Sequence, residues 1–190
     1  YTLMELLVTV AIVGIVATMA VPNLAGMLQR NQRTGAWSRG FSMFSYARSE
    51  AVGRIASVSV CSSSDESSCN TDNWEEGWIT FVDNGDGTGG TADDGARNGT
   101  EALLRVGQAA SGNVTIRLVG ADVGAVTFDS DGMVSAQSTL IICIDTTAAG
   151  GRAIVLNVSG QARLATDDND TAPATAVNAH TGGKIGCPTI

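Results

Sequence analysis

One carboxylate, Glu5, stands inside an apolar run that extends from Leu3 to Val21 and stops at Pro22. A charge in such a segment costs a few kcal/mol unless it is paired or kept near an interface. Its nearest obvious cation is the α-amino group of Tyr1, on the same chain or a neighbour, so the chemistry on offer is an ion pair. The four cysteines, Cys61, Cys69, Cys143 and Cys187, form an even set suited to an oxidising compartment. Three pairings are open. Cys61–Cys69 would close a polar loop and Cys143–Cys187 would tie the C-terminal tail to a strand, and these are the expectation. A zinc site competes, but no C-x-x-C pair supports it. Asp83, Asp86, Asp93 and Asp94 could attract a hard cation. The string Asp83-Asn84-Gly85-Asp86-Gly87 lacks EF-hand spacing, so a solvated turn is expected instead. Asp129-Ser130-Asp131-Gly132 and Asp167-Asp168-Asn169-Asp170 read the same way, the first as a hairpin turn closing on Asp-Gly. His180, the single histidine, has no nucleophile or orienting acid at recognisable spacing. No P-loop or Gly-x-Ser-x-Gly appears. The expectation is no enzyme, no metal and no cofactor.

These groups need elements to position them. As a helix, Leu3–Val21 would span roughly 28 Å, close to a bilayer's hydrocarbon core. A secretory signal would begin with a basic segment, yet no Lys or Arg precedes Arg30. The helix is expected to continue from Thr2 to Arg54. Pro22 removes one backbone donor and should kink or loosen it, with Gly14 and Gly26 adding flexibility. Trp37, Phe41 and Phe44 recur at helical spacing, and Ala47 and Ala51 continue that stripe. After Ile55 the period becomes two. Ser57–Cys61, Gly77–Val82, Ala102–Val106, Val114–Val119, Ala125–Phe128, Leu140–Asp145, Ala153–Val158 and Ala162–Ala165 read as strands. An antiparallel sheet would cover the aromatic stripe. Asn84–Asn98 reads as a long loop and Thr166–Gly186 as an irregular tail. The chain divides into a stem helix, 1–54, with 1–24 as transmembrane segment or filament core, and a β-rich part, 55–190. Its formal net charge of −8 argues against a general nucleic-acid binder, which would rely on clustered Lys and Arg.

Thr2-Leu3-Met4-Glu5-Leu6-Leu7-Val8, Gly14 and Pro22-Asn23 resemble the mature N-terminus of a type IV pilin or pseudopilin, after a basic leader has been removed. The family pattern opens on an N-methylated Phe and reads F-T-L-I-E-L, so Tyr1 and Met4 depart from it and methylation of Tyr1 stays open. Tyr46-Ala47-Arg48-Ser49-Glu50-Ala51-Val52, Ser59–Asp65 and Gly77–Asp83 resemble successive blocks of the GspH/FimT branch. The resemblance implies an α+β type IV pilin fold, a long N-terminal helix packed on an antiparallel β-sheet domain.

It further implies a structural subunit, major or minor, of a bacterial type IV pilus-like filament. Its partners would be copies of itself or other pilins, together with inner-membrane assembly machinery. The stem would sit in the inner membrane before assembly, with Tyr1 and Glu5 serving assembly and Gly14 and Pro22 helix flexibility. The first alternative is a minor pseudopilin of type II secretion, in a periplasmic pseudopilus. The second is a DNA-binding minor pilin of natural transformation. Some FimT-type relatives carry G-R-x-R near the C-terminus, where this chain has Gly160-Gln161-Ala162-Arg163. With one arginine missing, Arg152 and Arg163 would have to form the phosphate patch on adjacent strands.

Overall fold

The structure is a computed structural model. It describes residues 2–70, 72–85, 91–98, 100–120, 124–144 and 147–165, and its described side chains exclude 19–23, 25, 29, 30, 33, 144 and 147–151. A long α-helix, α1, runs from Leu3 to Arg54, 52 residues, or about 78 Å at 1.5 Å per residue. Thr2 caps its start in an extended conformation, its side-chain oxygen accepting from the Glu5 N–H at 3.3 Å. Helix assignment is unbroken through Pro22, so the loosening expected there does not interrupt the element. At the far end Ile55 adopts a left-handed conformation (φ 55°), and its N–H closes on the Ala51 carbonyl. Glu50 and Arg54 pair across that last turn at 2.6 Å, an exposed i,i+4 contact of about 0.3–0.5 kcal/mol.

Among the described residues eight strands follow: β1 Val58–Ser62, β2 Trp78–Val82, β3 Leu103–Gly107, β4 Val114–Gly120, β5 Ala125–Phe128, β6 Ser138–Ile144, β7 Thr147–Leu156 and β8 Ala162–Leu164. They form two antiparallel four-stranded sheets, ordered β3-β2-β1-β5 and β4-β6-β7-β8, where the sequence suggested one. Period-two patterning marks each strand but carries no record of which strands share hydrogen bonds. β7 also begins earlier than expected, because the Ala/Gly stretch before Ala153 continues the ladder with β6.

α1 lies across both sheets. Ala36, Met43, Phe44, Ala47 and Ala51 are buried against Val58, Val60, Val126 and Phe128 of the first sheet and Leu140, Ile142, Ile154 and Leu156 of the second. Gly40 belongs to the same face. A Cβ there would press at 3.0 Å on both Leu140 and Ile154, so this glycine sets how closely helix and sheet approach. The buried stripe is therefore rotated from the expected one. Phe44 is 1% exposed, but Phe41 is 38% exposed and stacks on Trp37 with ring centroids 5.7 Å apart. Aromatic spacing alone fitted two adjacent helix faces, and the face bearing Gly40 and three alanines fits the close approach.

The Cys61–Cys69 disulfide is formed, on the outer side of the first sheet against Ile79 and Phe81. Cys143 is buried and disulfide-bonded, while its expected partner Cys187 lies outside the described residues. Phe44→Ala is expected to cost about 3–5 kcal/mol and Phe41→Ala less than about 1 kcal/mol, measured by denaturant unfolding of the full chain.

Candidate assembly surface

Every described stem side chain from Leu3 to Thr18 is exposed, including Leu3 (81%), Leu6 (62%) and Val13 (66%). Leu24, Met27 and Leu28 continue this apolar surface toward the head. Two of its hydroxyls close on the helix's own backbone: Thr9 Oγ1 donates to the Leu6 carbonyl at 2.8 Å and Thr18 Oγ1 to Ile15 at 2.7 Å. Hydroxyls closed in this way suit lipid or packed helices equally. Gly14 has open space around its Cβ position, a flat spot where another helix could approach closely. Among the described residues no helix is long and apolar enough to cross a membrane. The described side chains in the run end at Thr18, and a span needs roughly 17–25 apolar residues.

Glu5 sits in the first turn of α1, exposed, where the helix dipole favours a negative charge. Thr2 and Glu5 stand at the spacing of a capping box, of which only the half made by the Thr2 side chain is formed. Among the described residues no hydrogen bond or ion pair engages its carboxylate, and Tyr1 lies outside them. The acid at the stem's tip is thus on a surface that the single chain leaves uncovered.

Of the acids expected in solvated turns, Asp93 and Asp94 are exposed and Asp83 is not. Asp83 is fully buried. Its Oδ2 accepts from Ser59 Oγ at 2.6 Å and from the Gly95 N–H at 2.9 Å. Glu101, which the sequence gave no reason to single out, is 2% exposed and accepts from the Gly85 and Asn98 N–H groups at 3.0 and 2.8 Å. Burial selects these two acids because backbone donors at both ends of the loop converge on them. Among the described residues no group of three metal-ligating side chains occurs. Asp86, Asp167–Asp170 and His180 lie outside the described residues. Asp65 is fully exposed and accepts from Ser68 Oγ (2.6 Å) and from the Ser68 and Ser67 N–H groups (2.8 and 2.9 Å), which holds its carboxyl well below the ordinary carboxylate range.

The Asp129–Gly132 turn does cap a hairpin-like return, with Gly132 at φ +77° and its N–H on the Asp129 carbonyl at 2.7 Å. It docks on the helix: Arg48 Nε donates to the Gly132 carbonyl at 3.1 Å. The two arginines proposed as a phosphate patch do not share a face. β7 alternation puts Arg152 with Ile154 and Leu156, whereas Arg163 pairs with Val155 and falls on the opposite side. Both are exposed, but the register separates them, so this pair does not make the missing fork.

The family model described as "Type II transport protein GspH" matches residues 39–160, well over half of the chain. The chain belongs to the GspH family. It is thereby a pilin-type structural subunit of the type IV pilin and pseudopilin class, in the GspH/FimT-like branch. Two crystal structures of the Pseudomonas aeruginosa type IV minor pilin FimU are similar to this GspH-family chain, both at 23% identity. One aligns with TM-score 0.56, covering 73% of this chain and 91% of that one. The other aligns with TM-score 0.52, covering 70% and 92%. At this identity the likeness shows the shared fold, helix followed by sheet. The minor pseudopilin EpsH from the type 2 secretion system of Vibrio cholerae aligns at TM-score 0.47 and 13% identity, covering 70% of this chain and 95% of that one. No curated protein sequence matches the chain.

The docked turn of this GspH-family pilin makes a pH prediction. Burial, then the charges of Asp131 and Asp93, push the Asp129 carboxyl above its ordinary value. Its contribution to stability is present below the unfolded value of 3.8 and is lost as pH rises through the folded one. Asp129→Asn is expected to melt higher than wild type at pH 7, with the gain vanishing below about pH 4, in thermal melts across that range.

Proposed function

We propose that this GspH-family protein is a structural subunit of a type IV pilus-like extracellular filament, assembled through the helix that carries Glu5. The observation that supports it is the uncovered apolar stem. A surface of this size and character on one chain marks a membrane or protein contact. The two uses are chemically interchangeable, because lipid tails and packed apolar helices are similar solvents. The subunit waits in the inner membrane with 1–24 in lipid. Assembly machinery then extracts it, and lipid contacts are exchanged for contacts with neighbouring stems. Glu5 finds a cation at the subunit junction, the amine of Tyr1 on a neighbour being the nearest candidate. Gly14 and Pro22 let the stem bend or stretch as it packs. The β-rich part, 55–190, forms the outer surface, held by the Cys61–Cys69 bridge and by a Cys143–Cys187 bridge.

A second reading is a minor pseudopilin of a type II secretion system, favoured by the description of the matching family as a type II transport protein. It uses the same stem in a periplasmic pseudopilus. The two separate on deletion of the gene: loss of surface filaments supports the first reading, and loss of protein secretion with filaments intact supports the second.

Glu5→Leu tests the shared mechanism. The variant is expected to keep the wild-type melting temperature in its β-rich part while its incorporation into filaments falls at least about tenfold, the loss of about one desolvated ion pair. Incorporation at the wild-type level, read by immunoblot of sheared filaments, would remove Glu5 from the mechanism.

A further inference from the structure

Four of the head's arginines are engaged inside it. Arg54 pairs with Glu50 and Arg117 with Glu75, Arg97 donates to the Ser67 and Glu101 carbonyls, and Arg105 lies over the rings of Tyr46 and Trp78. Arg48 and Arg163, like Arg97 and Arg105, meet no carboxylate among the described residues: Arg48 Nε is held by the Gly132 carbonyl, and Arg163 donates to Gln161 Oε1 at 2.9 Å. Both border one groove of about 770 Å³, walled by α1 from Phe41 to Gly53 on one side and by Gly160–Arg163 on the other. Asp131 is the one acid among the described residues of its lining. The groove is continuous with the stem. Phe41 and Val52, 38% and 48% exposed, prolong the uncovered side of α1 along its floor.

The complementary surface lies elsewhere on the same chain. The Cys61–Cys69 loop and the segment 93–98 are joined by Arg97 Nη1 donating to the Ser67 carbonyl at 2.7 Å and by Cys69 Sγ contacting the Gly95 carbonyl at 3.5 Å. Together they present Asp65, Glu66, Asp93 and Asp94, all exposed. This acidic face borders the outer side of the first sheet, while the groove runs beside α1 at the β8 edge of the second. Neither Asp65 nor Glu66 lines the groove.

We propose that the groove between α1 and β8 seats the acidic loop face of a second copy of this chain. The proposal rests on the filament reading above and adds the lateral contact between heads. Copies with a net charge of −8 repel on average, so neighbouring heads need a local place where opposite charges meet. A contact that uses different patches on its two sides is heterologous, and repeating it with a rise generates an open helical filament instead of a closed dimer. The apolar floor at Phe41 and Val52 supplies burial, and the arginines select the acidic partner and its register.

The test uses filaments of the full chain with a photo-crosslinking amino acid at Gln161, on the groove wall. The expected adduct joins this position to residues 65–66 or 93–94 of a second copy. Arg163→Glu is expected to lower incorporation about fivefold, and the charge swap Arg163→Glu with Glu66→Lys is expected to restore it. An adduct to another part of a copy, to a different pilin, or to nucleic acid would overturn the proposal. So would wild-type incorporation of Arg163→Glu, or failure of the swap to rescue when Glu66→Lys alone is folded. In each of these cases the stem mechanism stands or falls separately on Glu5→Leu. Absence of the wild-type chain from every filament would instead defeat the filament reading itself.

Discussion

A long apolar helix with nothing of its own chain to cover it is the constraint from which the rest follows. From Leu3 to Thr18 the described side chains point into open surroundings. Water is a poor environment for them, at roughly 25 cal/mol per Å² of apolar surface. The segment is stable only in lipid or against other helices. Its threonines close their hydroxyls on their own backbone, so transfer between those two environments breaks no polar contact. Glu5 is the exception, and an exposed carboxylate at the helix start is the group whose environment changes most between them.

The head is built to keep that stem attached. The second half of α1 is part of the core, with Phe44, Ala47 and Ala51 shared between two sheets. Pulling on the stem therefore loads the whole hydrophobic centre and not a hinge. Gly40 brings the helix close to Leu140 and Ile154, and Arg48 clamps the Asp129–Gly132 turn to the helix flank. Around this centre the long loops are tied by buried acids, Asp83 and Glu101, and by the Cys61–Cys69 bridge. A subunit exposed on a fibre gains from such ties, because loops closed covalently or by several backbone bonds have little freedom left to lose.

Electrostatics divides the head into unlike sides. The joined loops around Asp65 and Asp94 carry exposed negative charge, while Arg54, Arg105 and Arg117 are paired or stacked within the domain. Such an arrangement favours solubility over indiscriminate association. It also leaves Arg48 and Arg163, which meet no carboxylate among the described residues, as places where the next subunit can be recognised.

Much was legible in the chain itself. The apolar run with one acid is a local pattern, and so is the switch from helical to alternating periodicity after Ile55. All eight strands were found within a few residues of their observed limits except the start of β7, and the Cys61–Cys69 bridge joins the cysteines expected to pair. What tertiary structure decided was every question of which surface meets which. Two sheets form in place of one, because alternation encodes faces but not neighbours. The helix buries the glycine–alanine face beside Phe44 and leaves Phe41 out, because close approach to the sheets outweighs aromatic spacing. Asp83 and Glu101 are buried while Asp65 stays in solvent, because only the folded loops bring backbone donors to the first two in the interior. Arg152 and Arg163, near in sequence and on adjacent strands, are parted by a register that no local pattern could fix.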